Sequence, residues 1–184
     1  MHGPATPGWL LLVLCSASGA YCLVRMRSCT GTESRVAGSE ALMGFGMAAM
    51  AAPDAVVPTV PWAWLLYAAV FGTAGLGVLW WDRGSPTVIH RLHHLVGSLA
   101  MVYMAVTMAP GGAHAGHSGP GGLPLLTGAL LVYFAAFVLH AGLRLVPVPS
   151  RAGGAAVAWG ARPELVLACR LSMGVAMVAM LLTV

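Results

Sequence analysis

Three stretches of this chain place methionines at matching distances behind a polar residue: EALMGFGMAAM from Glu40, HLVGSLAMVYM from His94 and RLSMGVAMVAM from Arg170. With Glu40, His94 and Arg170 as origins, the +3 positions are Met43, Gly97 and Met173. The +7 positions are Met47, Met101 and Met177, and the +10 positions are Met50, Met104 and Met180. On an α-helix such offsets share an arc of about 80° and cover about 15 Å of length. Thioethers bind Cu(I), and imidazoles serve copper in either oxidation state. Met47, Met50, Met101, Met104, Met177 and Met180 are therefore candidate ligands for a soft metal, together with His94. The glycine-rich stretch GGAHAGHSGPGG adds His114 and His117 at the far end of the ladder, while Cys169 stands beside Arg170. The same residues have a plainer reading. Methionine fills irregular gaps in cores, and Gly44, Gly46, Gly97 and Gly174 would let helix backbones approach closely. A duplicated packing unit repeats as readily as a duplicated ligand set, which makes packing the weightier of the two readings.

The histidines offer a second chemistry. His90, His93 and His94 are spaced to share one helical face. His94 and His140 fall at similar depth on neighbouring helical stretches and could serve as axial ligands of a single b-type haem. No deeper histidine pair and no C-x-x-C-H attachment motif accompanies them. The cysteines, Cys15, Cys22, Cys29 and Cys169, do not make a disulfide framework, and Cys15 and Cys22 read as small buried hydrophobes. Nucleophile elbow, Walker loop and zinc-protease helix are all missing, so no catalytic residue is assigned.

The elements that must position these residues follow from composition. Of 184 residues, 59% are hydrophobic and 8% charged, with a mean hydropathy of +0.84. Soluble domains carry roughly 25% charged residues; this chain has too few to cover a water-facing surface and reads as an integral membrane protein. All nine basic residues are arginines, scattered singly rather than in a stripe, which argues against nucleic acid as a partner. The lipid bilayer is the expected surrounding. Near the start, WLLLVLCSASGAYCLV is followed, not preceded, by Arg25 and Arg27. That charge order reverses a secretory signal and predicts a retained first helix.

Six apolar stretches emerge, roughly 9–24, 36–52, 62–81, 87–109, 123–146 and 163–184. About 20 residues cross a hydrocarbon core, with a workable range of about 17–25; the first two stretches are the shortest, and the second is the weak one. Pro53 and Pro110 end helices, and Pro61, Pro86 and Pro163 suit first turns. Trp9, Trp62, Trp64, Trp80 and Trp81 lie at span ends, as an interfacial belt requires. With six spans, Arg25, Arg27, Arg35, Arg83, Arg91, Arg144, Arg151, Arg162 and Arg170 all fall on one side, whereas Asp54, His114 and His117 fall on the other. The positive-inside rule makes the arginine side cytoplasmic and puts both termini outside.

The predicted architecture is thus an all-α polytopic transmembrane helix bundle. It is a single domain over 1–184 made of three parallel helical hairpins, as internal repeats often are in membrane proteins. Glu40, His94 and Arg170 would then stand at one depth. A charge at a helix centre costs about 2.5–3.5 kcal/mol on insertion scales, so such groups usually face inward and pair. A Glu40–Arg170 ion pair with His94 nearby is expected, against the competing possibility that each charge reaches separately to the headgroups.

Taken together, YCLVRMRS, EALMGFGMAAMAAP, HRLHHLVGSLAMVYMAVTMAP, PLLTGALLVYFAAFVLHAGLRLVP and RPELVLACRLSMGVAMVAMLLT resemble an actinobacterial family of small multi-pass membrane proteins known as a domain of unknown function. The resemblance runs over nearly the whole chain in order and spacing. It implies a bacterial plasma-membrane protein, and it implies neither an activity nor any site residue. From the residues themselves the expected function is binding or passage of a soft metal such as copper. Two other classes stand beside it. One is a non-catalytic scaffold or subunit of an envelope complex, with a membrane protein partner or a second copy on its helix seams. The other is a single-haem electron carrier.

Overall fold

A computed structural model describes residues 6–52, 60–81, 88–107, 109, 123–145 and 163–183. The fold is all-α, with six helices: α1 Thr6–Ser28, α2 Gly31–Ala51, α3 Ala63–Trp81, α4 Val88–Thr107, α5 Pro124–Leu145 and α6 Pro163–Leu181. Each falls on one predicted stretch. The largest displacement is at the start of α2, five residues earlier than hydropathy placed it. Thr30 is extended, and Gly31 takes φ 64°, a left-handed conformation that glycine adopts without a Cβ penalty. The chain therefore reverses at once after α1, and the polar residues 32–35 become the first turn of a helix rather than a loop. Glu33 in that turn, and Arg25 and Arg27 in the last turn of α1, complement the two helix dipoles.

Helices α1, α3, α5 and α6 are long and apolar enough to cross a membrane, over Gly8–Ser28, Ala63–Trp80, Pro124–Arg144 and Glu164–Leu181. Helices α2 and α4 have suitable lengths, 21 and 20 residues. Their polar loads, Glu33, Arg35 and Glu40 in α2 and the histidines with Arg91 in α4, set them apart.

These two more polar helices contribute heavily to the core. Ala37, Glu40, Ala41, Met43, Gly44, Met47 and Ala48 of α2 are buried, as are His94, Ser98, Ala100, Met101, Met104 and Ala105 of α4. The more apolar α3 and α5 turn Leu65, Leu66, Leu76, Leu125, Val132, Leu139 and Leu143 outward. An outward apolar coat around a core that holds the polar groups is what a lipid solvent favours.

Packing is most extensive between α1 and α2, α3 and α4, and α5 and α6, and further contacts join α1 to α6 and α2 to both α4 and α6. The α1–α2 pair is antiparallel along its whole length. Gly8 faces Ala51, Gly19 faces Gly44 and Phe45, and Met26 faces Gly38. A Cβ on Gly44 would lie 2.9 Å from the Gly19 Cα, so the two backbones touch there. Between α2 and α4 the order is parallel: the Met43 side chain lies over Gly97, and one turn further Met101 reaches Gly46.

Candidate functional site: a buried carboxylate between two arginines and a histidine–methionine cavity

The site begins at Glu40, 4% exposed in the middle of α2. Arg170 of α6 donates from Nε to Glu40 Oε1 at 2.7 Å. Arg25 of α1 donates from Nη1 to Oε2 at 3.4 Å. Charge-assisted bonds of this kind are stronger than neutral ones, and here a single carboxylate ties three helices together. The Arg170 side chain keeps 33% of its surface exposed and Arg25 13%, so Arg170 stays partly at the surface while Arg25 is largely withdrawn.

Arg25 is the member that sequence reasoning missed, because it was assigned to topology alone. A signal was present. Ser18, Cys22 and Arg25 are spaced i, i+4, i+7, which makes a polar stripe along one face of an otherwise apolar helix. The stripe faces the site: Ser18 Oγ is 2.8 Å from Ser172 Oγ of α6, and Cys22 Sγ is 3.9 Å from Glu40 Oε2.

His94 is 6% exposed. With His93, Glu40, Arg170 and the side chains of Met43, Met173 and Met177 it lines a cavity of about 20 Å³, room for one water-sized occupant. Phe134 and Gly174 complete the wall. His93 is positioned by α5: its ring stacks on Phe137 at a centroid distance of 4.0 Å, and its Nδ1 lies 3.2 Å from the Tyr133 hydroxyl.

The methionine ladders meet in one hydrophobic core. Met47, Met101, Met104 and Met177 are at most 1% exposed, Met180 is buried, and Met50 packs against the same cluster half-buried. Of the expected thioether ligands only Met177 reaches the cavity, beside the expected His94. The cavity's other thioethers are the +3 residues Met43 and Met173, which the sequence reading left off the ligand set. Met47, Met50, Met101, Met104 and Met180 do not line it.

His140 is exposed on α5 whereas His94 is buried. The cavity beside His94 is far smaller than a porphyrin, so a haem between them would require the helices to part. His114 and His117 lie outside the described residues, as does the side chain of His90. Among the described residues no group of three or more His, Cys, Asp or Glu side chains could hold a metal ion. Cys15 and Cys22 are buried and reduced, and Cys29 and Cys169 are reduced and half-buried.

An all-α bundle with four helices fit to cross a bilayer, an apolar exterior and a polar cluster at its centre has the build of an integral membrane protein. Residues 32–184 match the family described as a domain of unknown function, DUF5134, and the chain belongs to that family. No curated protein and no solved structure matches it. Glu40, His94 and Arg170 lie within the matched segment, and α1 with Cys22 and Arg25 lies before it.

Proposed function

We propose that the protein is a six-span integral membrane protein of a bacterial plasma membrane, and that it binds a soft metal, Cu(I), in the cavity beside His94. The lining of that cavity carries the metal reading: two imidazoles and three thioethers around room for a single small occupant. Soft sulfur ligands and imidazole favour copper over hard cations. The ligands in this reading are His94, Met43, Met173 and Met177, and the rest of the ladder is helix seam rather than a path for the ion.

The six-span reading is supported by the surfaces of α2 and α4. Their polar groups Glu40, His94 and Ser98 are buried, while Leu42 and Phe45 of α2 and Leu92, Leu99 and Val106 of α4 face outward. The three-hairpin reading is supported by register. Met43 over Gly97 and Glu40 against Arg170 bring equivalent or near-equivalent positions of the three ladders to one level. Arginine-bearing loops on the cytoplasmic side, with both termini outside, follow from the positive-inside rule.

Elemental analysis of detergent-purified protein without a polyhistidine tag, from cells grown with modest added copper, tests the metal. Copper is expected to co-purify, and to fall by one equivalent per chain in His94→Ala and in Met173→Leu but not in Met104→Leu. Iron with a Soret band would instead favour haem. A second reading, a non-catalytic subunit of an envelope complex, is favoured by the near-total burial of Met47, Met101 and Met104 against glycine-bearing helices. Protein free of both metals that co-purifies with a stable membrane partner would replace the copper reading with this one.

A further inference from the structure

The two arginines that share Glu40 are not both balanced by it. Among the described residues every ion pair ends on that one carboxylate, Arg170 on Oε1 and Arg25 on Oε2. Two guanidiniums against one carboxylate leave one positive charge over. Glu164, the other acidic residue of α6, is exposed and six residues before Arg170, about 240° around the helix, so it faces elsewhere. An uncompensated charge among membrane helices is unfavourable and calls for a counter-ion.

Geometry shows where that counter-ion enters. Arg170 bonds Glu40 through Nε alone, at 2.7 Å. Its Nη1 and Nη2 make no hydrogen bond among the described residues, and neither is buried away from the surface. With a third of the side chain exposed, the far edge of the guanidinium reaches the outside of the bundle. Arg170 lies two turns into α6, and Arg25 lies one turn from the end of α1. Both stand toward the end of the bundle that carries the exposed Arg27, Arg35 and Arg144. Further in, Ser18 Oγ and Ser172 Oγ, 2.8 Å apart, close the α1–α6 seam.

We propose that the Nη edge of Arg170, with Arg25 adding its charge across Glu40, binds a phosphate anion at the α1–α6 seam, and that an anionic phospholipid headgroup supplies it. Arg170 then bridges two anions, the Glu40 carboxylate through Nε and the phosphate through Nη1 and Nη2, a fork that a lysine ammonium lacks. A phosphodiester carries one negative charge, which cancels the one left over. Basic pockets between spanning helices at the cytoplasmic side bind such headgroups. A zwitterionic headgroup has the same phosphate but brings its own cation, and leaves the surplus in place. The site uses no ligand of the copper reading and stands whether or not the His94 cavity holds a metal.

The test is titration of the detergent-purified, untagged full chain with phosphatidylglycerol, with phosphatidylcholine and with inorganic phosphate, resolving bound adducts by native mass spectrometry. Phosphatidylglycerol is expected to leave a single retained lipid per chain, and phosphatidylcholine none above background. Arg170→Gln should weaken that adduct about fivefold, the worth of one basic side chain near an anionic surface. Arg170→Lys should weaken it as well: the charge is kept, so a diffuse attraction would not change, but the fork is lost. Arg144→Gln, on an exposed arginine in the last turn of α5, should keep the adduct. Equal retention of the two lipids overturns the proposal. So does an adduct that Arg170→Lys leaves unchanged, or one that Arg144→Gln weakens as much as Arg170→Gln. Inorganic phosphate that binds through Arg170 where phosphatidylglycerol does not would uphold the phosphate site and overturn the lipid as its source. Should Arg170→Gln fail to fold, Arg170→Lys, which keeps a cation opposite Glu40, decides by the same comparison.

Discussion

At the scale of single residues, the chemistry turns on how one buried carboxylate is shared. Removing one member of a buried ion pair leaves its partner uncompensated, which typically costs about 3–5 kcal/mol. Arg170 is a third exposed and recovers some hydration, so Glu40→Gln is expected to destabilise by less than that range, about 2–3 kcal/mol, measured by thermal or denaturant unfolding in detergent. Arg170→Gln should cost less than Glu40→Gln, because Arg25 still balances the carboxylate. A cycle pairing Glu40→Leu with Arg170→Leu should be less destabilising than the sum of the single changes, the signature of direct coupling. Additive single changes would mean that the 2.7 Å contact contributes nothing. The methionines behave differently. Met47, Met101 and Met104 are buried without lining the cavity, so changes to Leu, close in volume, should cost below about 1.5 kcal/mol each and leave metal content alone.

At the scale of elements, close helix contacts rest on a few glycines, and what each would meet ranks them. A Cβ on Gly44 would press on backbone, the Gly19 Cα at 2.9 Å and the Cys15 carbonyl oxygen at 3.2 Å. Neither can move without separating α1 from α2. A Cβ on Gly97 would meet only the Met43 side chain, Cε at 2.7 Å and Sδ at 3.2 Å, the end of a flexible chain. Gly44→Ala is therefore expected to destabilise by about 1–3 kcal/mol, as overpacking does, while Gly97→Ala costs clearly less and displaces the Met43 thioether at the cavity. Gly72→Ala, with open space at its Cβ, should be neutral or slightly stabilising, since alanine is the better helix former. Unfolding midpoints of the three variants check the ranking, and equal losses at Gly44 and Gly72 would contradict the α1–α2 contact.

The whole molecule inverts the arrangement of a soluble bundle. Apolar α3 and α5 face outward, and polar groups on α1, α2, α4 and α6 meet inside. In lipid this is the economical order, because hydrocarbon cannot solvate a charge but solvates leucine well. The orientation is tested by labelling intact cells with an impermeant maleimide, in a background where native cysteines are replaced. Ser118→Cys should react from outside, whereas Ser85→Cys and Ser150→Cys should react only after permeabilisation. Reaction of Ser85→Cys from outside would break the one-sided placement of the arginines and with it the six-span topology.

Much of this was legible in the sequence, and the legible part has a common character. Class, helix number and the faces carrying methionine depend on composition and on a 3.6-residue period, both of which are properties of one segment at a time. The Glu40–Arg170 contact was also within reach, because both residues head the same methionine pattern and were expected at one depth. Other features depend on how helices are rotated and displaced against one another. Arg25 shares the carboxylate only because α1 reverses at Gly31 and lies along α2 in one register. Met43, Met173 and Met177 line the cavity and the other rungs do not, a choice made by how the helices are rotated against one another. Ser18 and Ser172 meet because α1 packs on α6, and no pattern within either helix announces that contact. Apolar spacing determines which face of a helix is buried; the partner it meets is decided by the fit of side chains and charges across the bundle.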